Sequence, residues 1–367
     1  MGIEEKGHQE NLTFELIKII GTPFLRNENK KDIPQSADFK KLFDYAWENR
    51  VELLYLHSLE GSGYLEGFEE KKKNLEERSL LTRKIASDVS RVLQKAGVEH
   101  IVYKTIKPFP ATPNDTDVVC LGDEKVYQKG LQALTKQGYG VLAEAPMQIL
   151  MYHPLGEGKV GGKKKGGTWY VDYYRGVAVD YFEYINKKSY LKYHIEREIE
   201  GRKTILLAPE PELAIILFHN IFPEKTCHLE QFYLCLFALS SPSFNLDLFI
   251  RFTEENFLER GVQANLTIFE TLHQIAFGFT PRPLKILLDQ WGYNETIQRE
   301  LSLRNYKMQF IFSGLEFWKV FLSKLRDPYS RKSLNKQFIH MLKPKQFIDV
   351  MKAVWTRTFS KDIYGHK

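Results

Sequence analysis

Residues 104–120 read Lys104-Thr105-Ile106-Lys107-Pro108-Phe109-Pro110-Ala111-Thr112-Pro113-Asn114-Asp115-Thr116-Asp117-Val118-Val119-Cys120. Just upstream, Gly97 closes a long helical pattern and His100-Ile-Val-Tyr103 reads as a short strand. A proline-rich spacer follows, and Val118-Val-Cys-Leu121 forms the body of a second strand. Asp115 and Asp117 open that strand. Strand side chains alternate, so both carboxylates project from one face. Like charges set so close are costly unless a cation or donors offset them, and together they can hold one hard divalent ion or bridge two. Pro113-Asn114-Asp115 is also good turn sequence. The strand and loop before it, and the apolar run after it, favour the metal-binding reading.

Outward from this segment the periodicity is helical on one side and mixed on the other. Before residue 97, apolar residues recur at helical spacing: Phe14 to Ile20 behind a cap at Asn11 or Thr13, Phe39 to Ala46, and Val51 to Leu59. Gly61, Gly63 and Gly67 mark a loop, and a long helix spans 69–95 with Leu81, Ile85, Val89 and Val92 on its buried stripe. After residue 97 come an amphipathic helix over 124–137 and strands at 139–142, 168–171 and 176–182. From Pro209 the pattern is helical again, over 210–222, 229–240, 245–258, 263–276, 282–291, 310–325 and 338–354. The expected fold is therefore α+β. Residues 1–96 form an N-terminal helical region, 97–206 a small mixed-sheet core, and 207–367 a C-terminal helical domain.

Composition sets the outer bounds. A chain of 367 residues with 43% hydrophobic content can bury a large core. A net charge of +6 is compatible with a polyanionic partner but does not require one. Cys120, Cys227 and Cys235 form no CxxC pair, so free thiols in a reducing cytoplasm are expected rather than disulfides or structural zinc. The first residues, MGIEEKGHQENL, lack the apolar core of a signal peptide, and no run reaches the length of a membrane span. The Gly/Lys-rich segment 156–167 reads as a loop. Its Lys159, Lys163, Lys164 and Lys165 could meet a polyphosphate or RNA, although no Walker A pattern is present.

With its strand, spacer and Asp-x-Asp, the chain resembles the nucleotidyltransferase superfamily that includes polymerase beta. More particularly, it is similar to an uncharacterised family with Leu-Lys-Gly, Asp-x-Asp and Val-Asp-Leu-His elements. These correspond here to Tyr103-Lys104-Thr105, Asp115-Thr116-Asp117 and Val179-Asp180-Tyr181-Phe182. The helix 212–222, with His219, is similar to the helix that follows that core. The resemblance implies a nucleotidyltransferase-like core and a site of Asp115, Asp117 and Asp180 holding Mg²⁺ or Mn²⁺, with Lys104 and Thr105 near the nucleotide. It implies transfer of a nucleoside monophosphate from a nucleoside triphosphate to a hydroxyl on RNA, protein or a small molecule, without a membrane partner. Asp172 and Glu183 are the other candidates for the third carboxylate. The family has glycine where this chain has Thr105, and that glycine lets backbone amides approach the triphosphate. Three other functions fit parts of the pattern: a non-catalytic nucleotide-binding adaptor on a degenerate transferase fold, a nucleotide-sugar glycosyltransferase, and a helical scaffold with an inert α/β insert.

Overall fold

The structure is a computed structural model, and it describes residues 11–25, 37–153, 169–342 and 348. The lysine loop at 156–167 and the end of the helix expected over 338–354 lie outside the described residues. Four helices come first: α1 (Leu12–Ile20), α2 (Phe39–Glu48), α3 (Glu52–Ser62) and α4 (Glu69–Lys95). Their ends follow local chemistry. The Asn11 side chain accepts from Thr13 N–H at the start of α1, and Asp38 accepts from Lys41 N–H at the start of α2. Gly97, at φ 62°, turns the chain out of α4 while Val98 N–H returns to the Leu93 carbonyl at 3.0 Å.

The α/β part then runs β1 (His100–Tyr103), β2 (Asp115–Cys120), α5 (Glu124–Lys136), β3 (Gly140–Ala145), β4 (Gln148–Tyr152), β5 (Tyr170–Tyr174), β6 (Val177–Val179), β7 (Phe182–Ile185), β8 (His194–Ile199) and β9 (Arg202–Leu207). Seven of these strands form one mixed sheet in the order β3-β4-β5-β2-β1-β9-β8, with β2 parallel to β5 and β1 parallel to β9. The fold is α+β, as the periodicity predicts. The sheet is larger than the expected set of strands. β4, which pairs with the expected strand β3, and the β8–β9 hairpin add to it, the hairpin through a two-residue turn at Glu200 and Gly201 with positive φ at both positions. Residues 176–182 do not make one strand. The chain reverses at Asp180 (φ 51°), and β6 and β7 pair as a separate two-stranded ribbon.

The helical remainder comprises α6 (Pro209–His219), a π-helical turn over Asn220–Glu224, β10 (Thr226–Cys227), α7 (Leu229–Ser240), α8 (Leu246–Glu255), α9 (Glu259–Phe277), α10 (Arg282–Trp291), α11 (Glu295–Leu303), β11 (Phe310–Ile311), α12 (Gly314–Lys324) and α13 (Pro328–Met341). The helix expected over 310–325 opens instead as β11, which pairs with β10 before α12 begins.

The two faces of the sheet bury into different cores. On one face Val102, Val118, Cys120, Val171 and Tyr173 pack under α4 and α5. Tyr127 of α5 stacks on Tyr173 at 4.6 Å between ring centroids. Gly130 makes that approach possible, since a Cβ there would stand 2.1 Å from the Tyr173 hydroxyl. On the other face Ile101, Tyr103, Val119 and Leu207 join a core continuous with both the N-terminal and C-terminal helices. The three cysteines are buried and free. No helix among the described residues is long and apolar enough to cross a membrane.

Candidate functional site

Strand alternation decides what faces the helical core beside β2. Thr116, Val118 and Cys120 turn toward α4, so Asp115, Asp117 and Val119 turn the other way. In the sheet register Asp117 is the partner of Asp172 on β5 and of Tyr103 on β1. Adjacent partners in a sheet share a face and lie about 4.8 Å apart along the hydrogen-bond direction. Asp115, Asp117 and Asp172 therefore stand as a triangle on one surface, with Tyr103 and Tyr174 beside them.

This placement is electrostatically costly, and the protonation behaviour shows it. Burial, reinforced by the Asp117 and Asp115 charges, pushes the Asp172 carboxyl up to about 8. Burial and the Asp117 charge push Asp115 up to about 7. Asp117 itself is 7% exposed. Asp172 Oδ2 accepts from the Tyr174 hydroxyl at 3.4 Å, while its buried Oδ1 has no hydrogen-bond partner among the described residues. An unpaired carboxylate oxygen beside two further carboxylates is a donor set suited to a hard divalent cation. Among the described residues no group of three or more His, Cys, Asp or Glu side chains is disposed to hold a metal ion by itself.

Lys104 and Thr105 end β1 next to this triangle. Lys104 adopts the left-handed conformation at φ 58°, and its backbone N–H donates to Glu212 Oε1 on α6. Its ammonium lies 5.0 Å from the Tyr103 ring centroid and 6.0 Å from that of Tyr174. Thr105 is buried. Its hydroxyl donates to the Tyr103 carbonyl at 3.1 Å and accepts from Asp117 N–H at 3.0 Å. Here a side-chain hydroxyl ties the β1 end to β2, at the position where the resembling family has glycine.

Asp180 is placed differently from Asp172. It occupies the turn between β6 and β7, whereas Asp172 is the acid that stands next to Asp117. Glu183, the third candidate, is drawn onto α13. It accepts from the Tyr329 hydroxyl, and its backbone N–H donates to Ser333 Oγ at 2.9 Å.

The helices on either side add groups that the motif does not contain. From α6, His219 Nδ1 lies 2.6 Å from the Tyr184 hydroxyl and Nε2 lies 3.4 Å from Glu224 of the π-helical turn. Burial, with the Lys104 charge second, lowers the His219 pKa, and the imidazole is held neutral. From the N-terminal helices, the Arg78 guanidinium donates to the Asn114 side chain and lies 5.6 Å from the Trp169 ring centroid. Arg50 pairs with Glu230 at 3.7 Å. Lys107 pins the spacer loop to the same Glu230 at 3.0 Å.

No family model matches the chain, and no curated protein does. Among solved structures the chain is similar to an antigenic nucleotidyltransferase-like protein from Paracoccidioides brasiliensis, at 12% identity over 64% of this chain and 96% of that one, with a TM-score of 0.28. A likeness that shallow carries no argument about activity.

Proposed function

We propose that this chain is a metal-dependent nucleotidyltransferase that moves a nucleoside monophosphate from a nucleoside triphosphate to an acceptor hydroxyl. One observation supports this above the others: Asp172, with an unpartnered buried oxygen, stands beside Asp117 on the face that also carries Asp115. Asp115 and Asp117 would hold Mg²⁺ or Mn²⁺. The ion, when bound, supplies charge neutralisation on the transferring phosphoryl group. Asp172 takes the role that the family resemblance gave to Asp180.

The chain's own groups divide the remaining work. Asp172, ionised once a cation offsets its neighbours' charge, would accept the proton of an acceptor hydroxyl. The hydroxyl oxygen forms a bond to the α-phosphorus, the bridging P–O bond breaks, and pyrophosphate leaves with the electron pair. Lys104, fixed over two tyrosine rings, adds positive charge near the phosphates. Carboxylates carried on two neighbouring strands of the seven-stranded sheet rather than on loops keep this geometry rigid.

A non-catalytic nucleotide-binding adaptor is the second reading, and Thr105 is the observation that favours it. The test is a screen of the four nucleoside triphosphates and of sugar nucleotides with Mg²⁺ or Mn²⁺. It is scored for pyrophosphate and for label transfer to RNA, protein and small molecules. Metal-dependent pyrophosphate release that disappears in Asp117→Asn supports the transferase. Nucleotide binding without release supports the adaptor, and turnover of sugar nucleotides alone would shift the assignment to glycosyl transfer.

A further inference from the structure

Two backbone amides beside the carboxylates already have partners. Lys104 N–H donates to Glu212 Oε1, and Asp117 N–H donates to the Thr105 hydroxyl. A condensed phosphate arriving here therefore cannot be seated on those two amides without breaking them. Cationic side chains stand at both ends of the spacer between β1 and β2. Lys104 approaches from β1 over Tyr103 and Tyr174. Arg78 approaches from α4, stacked over Trp169 and bonded to Asn114, the residue that precedes Asp115. α4 is fixed at this level by a bond from the Thr82 hydroxyl to the Pro113 carbonyl at 3.3 Å.

We propose that the chain binds the polyphosphate of its nucleotide through a side-chain cradle of Arg78 and Lys104, in place of a seat on the Lys104 and Asp117 backbone amides. This deepens the transferase reading and rests on it for the identity of the nucleotide, but it concerns the phosphate chain alone. Arg78 comes from a helix far from the Asp-x-Asp motif in sequence, and its guanidinium can meet two phosphate oxygens at once.

The test is calorimetric titration of the full chain with inorganic tripolyphosphate in excess Mg²⁺. Wild type binds, and Arg78→Gln and Lys104→Gln each weaken binding by about tenfold or more, as expected for loss of a charge-assisted contact. Arg78→Lys keeps the charge but loses the planar fork, so it binds more weakly than wild type and more tightly than Arg78→Gln, which separates lost recognition from misfolding. Lys332→Gln, on exposed α13, changes nothing. Thr105→Gly, which frees the Asp117 amide, does not tighten binding. Failure of wild type to bind tripolyphosphate, full affinity in both Gln variants, or marked tightening in Thr105→Gly would each overturn the cradle. Pyrophosphate release from nucleotides is scored separately. A cradle that binds without turnover leaves this inference standing and removes the transferase, and turnover with unaltered binding in the Gln variants does the reverse.

Discussion

Asp117 and Asp172 are register partners on neighbouring parallel strands, and the buried Asp172 Oδ1 has no hydrogen-bond partner among the described residues. Two ionised carboxylates in that relationship weaken the metal-free fold, because each raises the cost of ionising the other. A fold that retains them has either a cation to neutralise them or a proton shared between them.

Replacing Asp172 with Asn should therefore stabilise the metal-free chain. At pH 8 the expected gain in denaturant unfolding is roughly 1–2 kcal/mol, on the scale of relieving one close like-charge contact. Addition of Mg²⁺ should then stabilise wild type and leave Asp172→Asn nearly unmoved, by ordinary linkage. A variant that is less stable than wild type without metal would mean that Asp172 makes a favourable contact in the fold.

Thr105 is the next test, because its hydroxyl holds the amide of the residue that carries the central carboxylate. Thr105→Val keeps the shape and removes the acceptor, which leaves a buried N–H unpaired at a cost of about 1–3 kcal/mol. Thr105→Ser should restore most of the loss. Thermal or urea unfolding of the pair decides it; equal stability of the Val and wild-type chains would show that Asp117 N–H finds another partner.

Some of this site was legible in the residues alone and some was not. Asp115 and Asp117 follow from strand alternation, which needs only the local sequence. The β8–β9 hairpin also carries a local signal, in alternating Ile195, Ile199, Ile205 and Leu207 around Glu200-Gly201. The choice between Asp172 and Asp180 as a third carboxylate has no local signal, because both sit in apolar, β-forming surroundings. What separates them is that β5 lies beside β2 while the chain turns at Asp180, and strand pairing is a non-local fact. The turn itself has no glycine or proline to mark it; aspartate tolerates the left-handed conformation and takes it there. Arg50, Arg78 and Glu212 come from other segments of the chain, and only the packing of helices on the sheet edge brings them to the Asp-x-Asp strand.

Glu212 makes a pH prediction. Burial pushes its carboxyl up to about 7, against the opposing effects of Lys107, the Lys104 N–H and Arg197. The folded chain thus binds a proton more tightly than the unfolded chain, whose Glu titrates near its ordinary value. Stability attached to that proton is complete below the ordinary carboxylate range and is lost as pH rises through about 7. Glu212→Gln keeps a carbonyl oxygen for Lys104 N–H and removes the titration. Wild type should lose about 2 kcal/mol relative to Glu212→Gln between pH 5 and pH 8. Parallel stability curves for the two chains across that range would refute it.

The final prediction separates the two candidates for the third carboxylate, and it requires a measured transfer activity. Asp172 stands beside Asp117 and Asp180 stands in the β6–β7 turn, so the two substitutions should not behave alike. Asp172→Asn should lower kcat by about two or more orders of magnitude, near 3 kcal/mol, the scale of losing a general base. Its effect on nucleotide affinity should be much smaller, because the lost interaction belongs to the transition state. Asp180→Asn should change the rate by less than about tenfold, as a substitution outside the reacting groups does. The activity of Asp172→Asn should also lose its dependence on the acceptor's proton, and the fall in rate toward low pH should flatten. If Asp180→Asn is the variant that loses chemistry while Asp172→Asn retains it, the general base lies in the turn, and Asp172 is left as a buried acid that only tunes the charge on Asp115 and Asp117.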